Sequence, residues 1–165
     1  MISYLLDTTY ILPFFGIQVN VPRLEEFLEK LKSPDTSMEH NYIISACSLI
    51  EAKWKAIRMY IQSQDATYLD YANIALESFK TNRYFEIVES WYNIEACKYA
   101  DELLIHGHKD YIDCWIAGTA REKGATLVTE DGNLKDFVAN ISEWKNFKIY
   151  SWQEFLAEIN FLSSQ

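Results

Sequence analysis

Four acidic side chains are the residues of this sequence most suited to chemistry: Asp7, Glu51, Asp113 and Asp131. Two carboxylates about 4 Å apart repel each other by roughly 1 to 4 kcal/mol, depending on the effective dielectric constant. A domain whose total stability is only about 5 to 15 kcal/mol has little reason to hold four of them together without a cation. Oxygen ligands favour Mg²⁺ or Mn²⁺, which can activate water and stabilise the leaving oxygen of a phosphodiester. If the four acids meet, they therefore indicate metal-dependent phosphodiester hydrolysis.

These acids also have ordinary structural explanations. Asp7 can cap the helix that follows it, and Asp113 lies in the first turn of a predicted helix, where exposed N–H groups favour negative charge. Glu51 matches a capping box with Ser48 and can pair with Lys55 one helical turn later. Local patterns leave both explanations open. The decision depends on whether the fold brings the four acids to one place.

One helix and the strand that follows it show how this can happen. Asp110 is a predicted helix N-cap, Gly124 is a stop signal, and the apolar run at residues 125–129 is typical of a buried parallel strand. Small residues would let this helix pack closely on a sheet: Ala117, Gly118 and Ala120. A helix that runs antiparallel to the next strand starts where that strand ends. Asp113 and Asp131 can therefore lie at the same edge of the sheet.

Predicted strands and helices alternate along the chain. The strands cover residues 1–6, 42–46, 84–88, 125–129 and 147–150. Besides the helix after Asp110, the helices cover residues 10–15, 22–32, 48–62, 67–80, 93–105, 134–140 and 152–162, and a polar loop covers residues 33–41. The helix at 48–62 carries an apolar stripe: Ile50, Trp54, Ile57 and Ile61. This alternation predicts an α/β fold with helices on both faces of a parallel sheet, whose strand C-termini share one ligand-binding edge.

The length of the chain suits a single domain, predicted over residues 1–162, with a frayed tail at residues 163–165. The apolar start of the chain has no basic region, and Asp7 and Pro13 interrupt it, so it is unlike a signal peptide. No stretch approaches the roughly 20 apolar residues of a membrane span. We therefore expect a cytoplasmic protein without membrane contact.

The acidic composition limits how this chain can meet nucleic acid. The formal net charge is −9, whereas nucleic-acid-binding proteins are usually basic because phosphate contacts dominate their affinity. A broad nucleic-acid surface is therefore disfavoured, but a small site that meets phosphate through bound metal ions is not. Four basic side chains are candidate phosphate contacts: Lys53, Arg58, Lys109 and Arg121.

Cysteines and histidines offer little support for a different metal site. The three cysteines are widely spaced in apolar surroundings without a CxxC pair, which predicts buried free thiols: Cys47, Cys97 and Cys114. His106 and His108 stand two residues apart across a glycine, which is a poor arrangement for metal ligands. A helix cap or a backbone contact to substrate is the favoured interpretation of this pair.

Four motifs, in order along nearly the whole chain, resemble those of PIN-domain ribonucleases, and most of all those of prokaryotic VapC-type toxins. They are Asp7-Thr8 after the first strand, Ser48-x-x-Glu51, Asp113-x-x-Ile116-Ala117-x-x-Ala120 and Thr129-x-Asp131. Gly118 stands where alanine is common in that family. The resemblance implies a PIN-like three-layer sandwich around a central five-stranded parallel sheet.

The resemblance also implies endonucleolytic cleavage of RNA that depends on Mg²⁺ or Mn²⁺. It maps the catalytic and metal-binding carboxylates to Asp7, Glu51, Asp113 and Asp131, with hydroxyl groups near the metal shell at Thr8 and Thr129. A toxin of this kind is held silent by a small antitoxin protein. The family resemblance further suggests a homodimer.

Three other functions stay open. A PIN-domain RNA-processing nuclease would act without an antitoxin, and a catalytically silent PIN-like scaffold would bind RNA or protein without cleaving. A haloacid-dehalogenase-type phosphatase also has a strand-end aspartate and a late acidic pair, here Glu130-Asp131. That chemistry usually needs a second aspartate two residues after the first, where this chain has Thr9.

Overall fold

The sheet is formed by five short parallel strands. The computed structural model describes residues 2–32 and 40–161 of the chain. The strands are β1 (Ile2–Leu6), β2 (His40–Ser45), β3 (Glu86–Val88), β4 (Thr126–Val128) and β5 (Ile149–Tyr150). Their spatial order is β3-β2-β1-β4-β5. The predicted five-stranded parallel sheet is therefore confirmed, and β1 lies at its centre.

The helices mostly begin and end within a few residues of the predicted positions. They are α1 (Leu24–Lys32), α2 (Ala46–Ser63), α3 (Thr67–Thr81), α4 (Ile94–Ile105), α5 (Tyr111–Glu122), α6 (Gly132–Ala139) and α7 (Trp152–Glu158). The helix predicted at residues 10–15 is instead a pair of 3-10 turns, Thr8–Tyr10 and Leu12–Phe15, which end where Gly16 adopts a φ of 72°. Among the described residues, no helix is both long enough and apolar enough to cross a bilayer.

Alternate side chains of the strands pack into different cores. Leu5 and Leu127 lie on the face covered by α4, α5 and α6. Leu6 and Val128 lie on the opposite face, against α1 and α7, where Ile44 packs against α2 and α3. Strands buried on both faces alternate in this way because successive side chains point to opposite sides of the sheet. The result is the three-layer arrangement of helix, sheet and helix that the sequence predicted.

Helices α4 and α5 approach each other very closely at Gly118. A Cβ atom at this position would lie 2.7 Å from the backbone oxygen of Ala96 and 2.9 Å from the backbone nitrogen of Ala100. Both neighbours are backbone atoms, which a small rearrangement of side chains cannot move away. This contact explains why the chain has glycine where alanine is common, and it brings α5 tightly onto its neighbour.

Helix α2 begins earlier than predicted because β2 runs into it without a loop. Ser45, the last residue of β2, is the N-cap, and its side chain accepts a hydrogen bond from the backbone N–H of Cys47. Ser48 therefore lies within the helix and is fully buried. The predicted capping box of Ser48 and Glu51 is wrong. Glu51 consequently loses the capping role that was one of its two structural explanations.

The apolar stripe of α2 faces away from the core. Its members are between 36% and 61% exposed: Ile50, Trp54, Ile57 and Ile61. The buried face of the helix carries small residues instead, including Ala52 and Ala56. An apolar stripe at helical spacing usually packs within its own chain. Here it forms an exposed patch of the kind that often binds another molecule.

The remaining predictions of structure have mixed outcomes. Cys47 and Cys114 are buried free thiols as predicted, whereas Cys97 is only half-buried. The predicted polar loop at residues 33–41 overlaps β2 at its last two residues, and the rest of it lies outside the described residues. The predicted tail at residues 163–165 and the last residue of the predicted final helix also lie outside them.

Candidate active site

Neighbouring strands position two of the candidate acids. β1 pairs with β4 in parallel register, with Leu6 opposite Val128, so the residues that follow these strands emerge side by side. Asp7 follows β1, and Thr129 follows β4. The Thr129 hydroxyl donates a hydrogen bond of 2.7 Å to Oδ2 of Asp7. The backbone N–H of Asp131 in turn donates to the Thr129 hydroxyl oxygen at 3.1 Å. Thr129 therefore links the loops that carry the two acids.

Glu51 reaches the same edge from the first part of α2. The Thr8 hydroxyl donates a hydrogen bond of 2.5 Å to Oε2 of Glu51. The Nζ atom of Lys55 lies 2.7 Å from Oε1 of the same carboxylate, which confirms the expected pairing. Because Thr8 follows Asp7 in the chain, its hydrogen bond connects the acid of α2 to the acid of β1.

Asp113 enters from the first turn of α5, on the other side of the sheet. As predicted, Asp110 caps this helix, and its side chain accepts hydrogen bonds from two backbone N–H groups. Burial, followed by the negative charges of Asp110, Asp7, Asp131 and Glu51, raises the pKa of the Asp113 carboxyl to about 7. The four predicted acids are therefore close enough to one another to repel.

Burial is also the main cause that raises the pKa of Asp7. Hydrogen bonds from the Thr129 hydroxyl and the Thr8 backbone N–H oppose the rise, the charge of Glu51 adds to it, and Lys55 reduces it. Lys55 is thus a residue of the site that was not among the predicted ones. Its position four residues after Glu51 is the sequence signal that could have identified it.

Asp131 has a structural role besides its place in the cluster. Its Oδ1 atom accepts hydrogen bonds from the backbone N–H groups of Asn133 and Leu134, which caps α6. The side chain of the neighbouring Glu130 has different partners. Oε1 of Glu130 accepts from the hydroxyl of Tyr10 and from a backbone N–H at the start of α7. Of this acidic pair, only Asp131 therefore contributes its charge to Asp113.

The chemistry of the donor set fits a hard divalent cation. Carboxylate oxygens are the ligands that Mg²⁺ and Mn²⁺ prefer. Burial, followed by the charges of neighbouring carboxylates, raises the pKa values of Asp7 and Asp113, so their ionised forms are disfavoured unless a cation is bound. Within the part of the chain that the structure describes, however, no three His, Cys, Asp or Glu side chains are arranged as a ready-made metal site. The carboxylates would have to draw together around an ion, which would relieve their repulsion.

The predicted phosphate contacts differ in their surroundings. Lys53 and Lys109 are exposed, and the Arg58 guanidinium stacks on the ring of Trp54 at 4.7 Å. Arg121 is held in a different contact set, which consists of an ion pair of 2.8 Å with Glu102 and contacts with the rings of Tyr99 and Trp144. The phosphate-binding role of the four basic side chains stays a prediction. Thr8 and Thr129, in contrast, hydrogen-bond directly to two of the carboxylates.

The two histidines after α4 have different environments in the structure. His106 is exposed and forms the C-cap of α4, in agreement with the favoured interpretation. The His108 side chain is only 10% exposed, and its Nε2 atom lies 3.8 Å from Oδ2 of Asp113. No spacing rule in the sequence pointed to this approach, because it depends on how the intervening Gly107 turns the chain.

Solved structures with similar folds include two VapBC proteins and a VapC toxin. VapBC2 from Rickettsia felis, bound to a DNA fragment from its promoter, is 20% identical with a TM-score of 0.61, over 92% of this chain and 99% of that chain. VapBC-1 from nontypeable Haemophilus influenzae is 16% identical with a TM-score of 0.59, over 92% and 99%. VapC20 from Mycobacterium tuberculosis, a sarcin-ricin loop cleaving toxin, is 15% identical with a TM-score of 0.54, over 86% and 98%. At these identities the likeness shows the fold.

Sequence comparison assigns the family. No curated protein matches the chain. A family model does match it, over residues 4–140, and that model describes the PIN domain. The match covers most of the chain and includes all four acids, and the chain therefore belongs to the PIN-domain family.

Proposed function

We propose that this protein is a metal-dependent endoribonuclease that hydrolyses phosphodiester bonds of RNA. The observation that carries the proposal is the meeting of four acids from separate segments, in which the pKa of Asp113 is raised to about 7 by burial and by its acidic neighbours. Such repulsion is costly unless a cation offsets it. Membership of the PIN family supports a nuclease over the phosphatase alternative.

The proposed roles follow from the position of each acid. Asp7 and Asp113 hold the principal ion, because both are partly buried and both have raised pKa values. Asp131 would hold it through water or would share a second ion, since one of its oxygens already caps α6. A bound Mg²⁺ or Mn²⁺ supplies charge to activate water and to stabilise the leaving oxygen. Glu51 orients the attacking water or accepts its proton.

Thr8 and Lys55 fix the orientation of the Glu51 carboxylate. One donates to Oε2 and the other contacts Oε1, so both oxygens have partners. A general base must lie within hydrogen-bond reach of the proton it removes, which makes this orientation important. Thr129 does the same for Asp7 by binding its Oδ2 atom.

The direct test is cleavage of a labelled single-stranded RNA by the purified protein. We expect cleavage with Mg²⁺ or Mn²⁺ and none after EDTA treatment, with activity restored when the ion is added back. If the protein binds Mn²⁺ in calorimetry but leaves a broad set of RNAs intact, the silent-scaffold alternative is correct. If it neither binds the ion nor cleaves, the nuclease proposal fails entirely.

We further propose that the protein is a toxin whose partner is a small antitoxin that docks on the exposed stripe of α2. Two similar structures are VapBC proteins, and the stripe begins at Ile50, next to the site residue Glu51. A chain of net charge −9 complements a short basic partner. A partner on this stripe could place an arginine among the carboxylates, where charge-assisted hydrogen bonds are strong.

Replacing Trp54 by glutamate should weaken this partner by about 30-fold or more, because central aromatic residues of an interface commonly contribute about 2 kcal/mol. Trp54 is 54% exposed, so unfolding temperature and RNA cleavage should not change. The binding partner in this test is the protein encoded by a small neighbouring reading frame, the candidate antitoxin. Its affinity for the wild-type protein and for each variant is measured by calorimetry. Ile94→Glu, in an exposed residue at the start of α4, is the matched control.

The oligomeric state decides between this partner and a second copy of the chain. If Trp54→Glu converts a dimer to a monomer while the antitoxin still binds, the stripe is the homodimer face and the docking proposal is wrong. If no neighbouring product binds and expression does not slow growth, the protein is an RNA-processing nuclease instead of a toxin.

A further inference from the structure

The geometry points to His108 as an additional, nitrogen ligand of the metal site, which makes the site prefer Mn²⁺ to Mg²⁺. This inference rests on the proposed metal-dependent function and adds a residue that the acidic motifs do not contain. Its basis is a nearly buried imidazole that faces Asp113 and has no hydrogen-bond partner on that side.

The turn after α4 directs His108 inward. α4 ends at Ile105, and Gly107 follows with a φ of 104°, a conformation that favours glycine. The backbone N–H of His108 then donates to the oxygen of Leu103 at 3.0 Å. This reversal leaves His106 exposed and turns His108 toward α5. The two histidines therefore do not act as a pair, and the poor spacing between them does not count against His108 alone.

The imidazole of His108 packs against a ring on one side and has no hydrogen-bond partner on the other. Its ring packs against the ring of Phe137 in α6, with centroids 5.1 Å apart. On the other side, Nε2 lies 3.8 Å from Oδ2 of Asp113, beyond hydrogen-bond distance. Nε2 is buried without a partner. Leaving a buried polar atom unpaired carries the full cost of its desolvation, so such an atom calls for an explanation.

The separation of 3.8 Å suits two atoms that share one ion. Ligands about 2.1 Å from a common ion lie at most about 4.2 Å apart and, as cis neighbours in an octahedron, about 3 Å apart. A neutral imidazole protonated on Nδ1 presents its lone pair at Nε2, as metal-bound histidines do. Nε2 and Asp113 Oδ2 could therefore bind the same ion after a small movement.

A nitrogen donor changes which ion the site selects. Carboxylates alone suit Mg²⁺, Mn²⁺ and other hard cations, whereas imidazole suits transition metals. Adding one imidazole to the four acids should therefore raise affinity for Mn²⁺ more than for Mg²⁺. A residue that only positioned Asp113 through a water molecule would affect the two ions alike.

Metal binding in the full chain, without RNA, tests this role. Calorimetry should give a ratio of the Mg²⁺ to the Mn²⁺ dissociation constant that falls about tenfold or more in His108→Asn. The control His106→Asn, two residues earlier and exposed, should keep the wild-type ratio. Electron spin-echo spectroscopy of bound Mn²⁺ should show coupling to an imidazole nitrogen in the wild-type protein and in the control, and none in His108→Asn.

The outcomes separate this inference from the proposed function. If Mn²⁺ binds in a way that requires Asp7 but shows no nitrogen coupling and an unchanged ratio in His108→Asn, the inference is wrong and the nuclease proposal stands. If the wild-type protein binds no divalent ion, both fail. If His108→Asn unfolds at a lower temperature than the wild-type protein, His108→Gln is used in both measurements instead. The nitrogen coupling in the folded wild-type protein then shows, without any variant, whether an imidazole binds the ion.

Discussion

Replacing Asp7 by asparagine is expected to abolish RNA cleavage and to stabilise the metal-free protein at the same time. Asparagine has nearly the same shape, and its Oδ1 atom can keep the hydrogen bond of 2.6 Å from the Thr8 backbone N–H. Its amide group can donate to the Thr129 hydroxyl oxygen, which now donates to Oδ2 of Asp7. The substitution therefore removes a charge and a metal ligand with little change in packing.

The two effects of this substitution have the same electrostatic origin. Burial raises the pKa of Asp7, so its ionised form is disfavoured in the folded protein unless a cation is bound. Losing this ligand should lower the cleavage rate by about 10³-fold or more. Removing one strong electrostatic contact to the transition state lowers the rate of other enzymes by about 10²- to 10³-fold. Mn²⁺ at about 100 times its dissociation constant should stabilise the wild-type protein by about 2.7 kcal/mol, a shift of several degrees, and should not stabilise Asp7→Asn.

Thermal unfolding with and without Mn²⁺, measured beside RNA cleavage, checks this prediction. Asp101→Asn, which neutralises an exposed carboxylate of α4, should behave like the wild-type protein in both measurements. An Asp7→Asn protein that keeps the full Mn²⁺ shift would falsify the assignment of Asp7 as a ligand. An Asp7→Asn protein that unfolds at a lower temperature without metal would show that Asp7 stabilises the fold instead.

The sheet and the acids at its edge were predictable because their signals are local or topological. Apolar runs of a few residues followed by Asp7 or Asp131 mark buried strands and their ends. Parallel pairing then places those ends side by side, as the register of Leu6 and Val128 shows. Asp113 could be placed at the same edge because Asp110 marks the start of its helix so clearly.

The errors arose where one pattern had two physical meanings. Ser48 and Glu51 have the spacing of a capping box, but Ser45 caps the helix because β2 continues directly into it. The stripe that includes Trp54 has the spacing of a core-facing surface but lies outside. Helical spacing shows that apolar residues share a face, whereas only the packed fold shows whether that face is covered by the same chain.

The contacts of Arg121 and His108 depend on residues that no local pattern connects to them. The Arg121 guanidinium lies 4.0 Å from the ring centre of Tyr99 and 4.4 Å from that of Trp144, so a cation that could have met phosphate is used in packing. His108 reaches Asp113 through the φ of Gly107. Such contacts are set by tertiary structure, which the order of residues along the chain does not reveal.

The pH dependence of metal binding is expected to be steep, and its cause is Asp113. The pKa of this carboxyl is about 7 in the folded, metal-free protein, compared with about 3.9 in an unfolded chain. An ion must displace the proton, because carboxylate ligands bind in their ionised form. Each pH unit below 7 should therefore weaken Mn²⁺ binding by up to tenfold, or about 50-fold between pH 7 and pH 5, because the carboxyl is already half protonated at pH 7.

The stability of the metal-free protein should change in the opposite direction. Because the folded state raises this pKa, it binds the proton more tightly than the unfolded state does. The resulting stabilisation is fully present below about pH 3.9 and is lost as pH rises toward 7. One proton gives at most about 1.4 kcal/mol per pH unit, and this slope is approached only between the two pKa values.

Asp113→Asn removes this carboxyl and leaves the other three acids in place. Metal-free Asp113→Asn should lose the part of the stability change that falls between about pH 3.9 and pH 7, and it should be more stable than the wild-type protein at pH 8. Unfolding free energies at pH 5, 6, 7 and 8, together with Mn²⁺ calorimetry at the same values, measure both effects. Asp101→Asn should follow the wild-type curves. Wild-type Mn²⁺ affinity that stays constant from pH 5 to pH 7 would mean that the ion does not compete with this proton, and Asp113 would then lie outside the metal site.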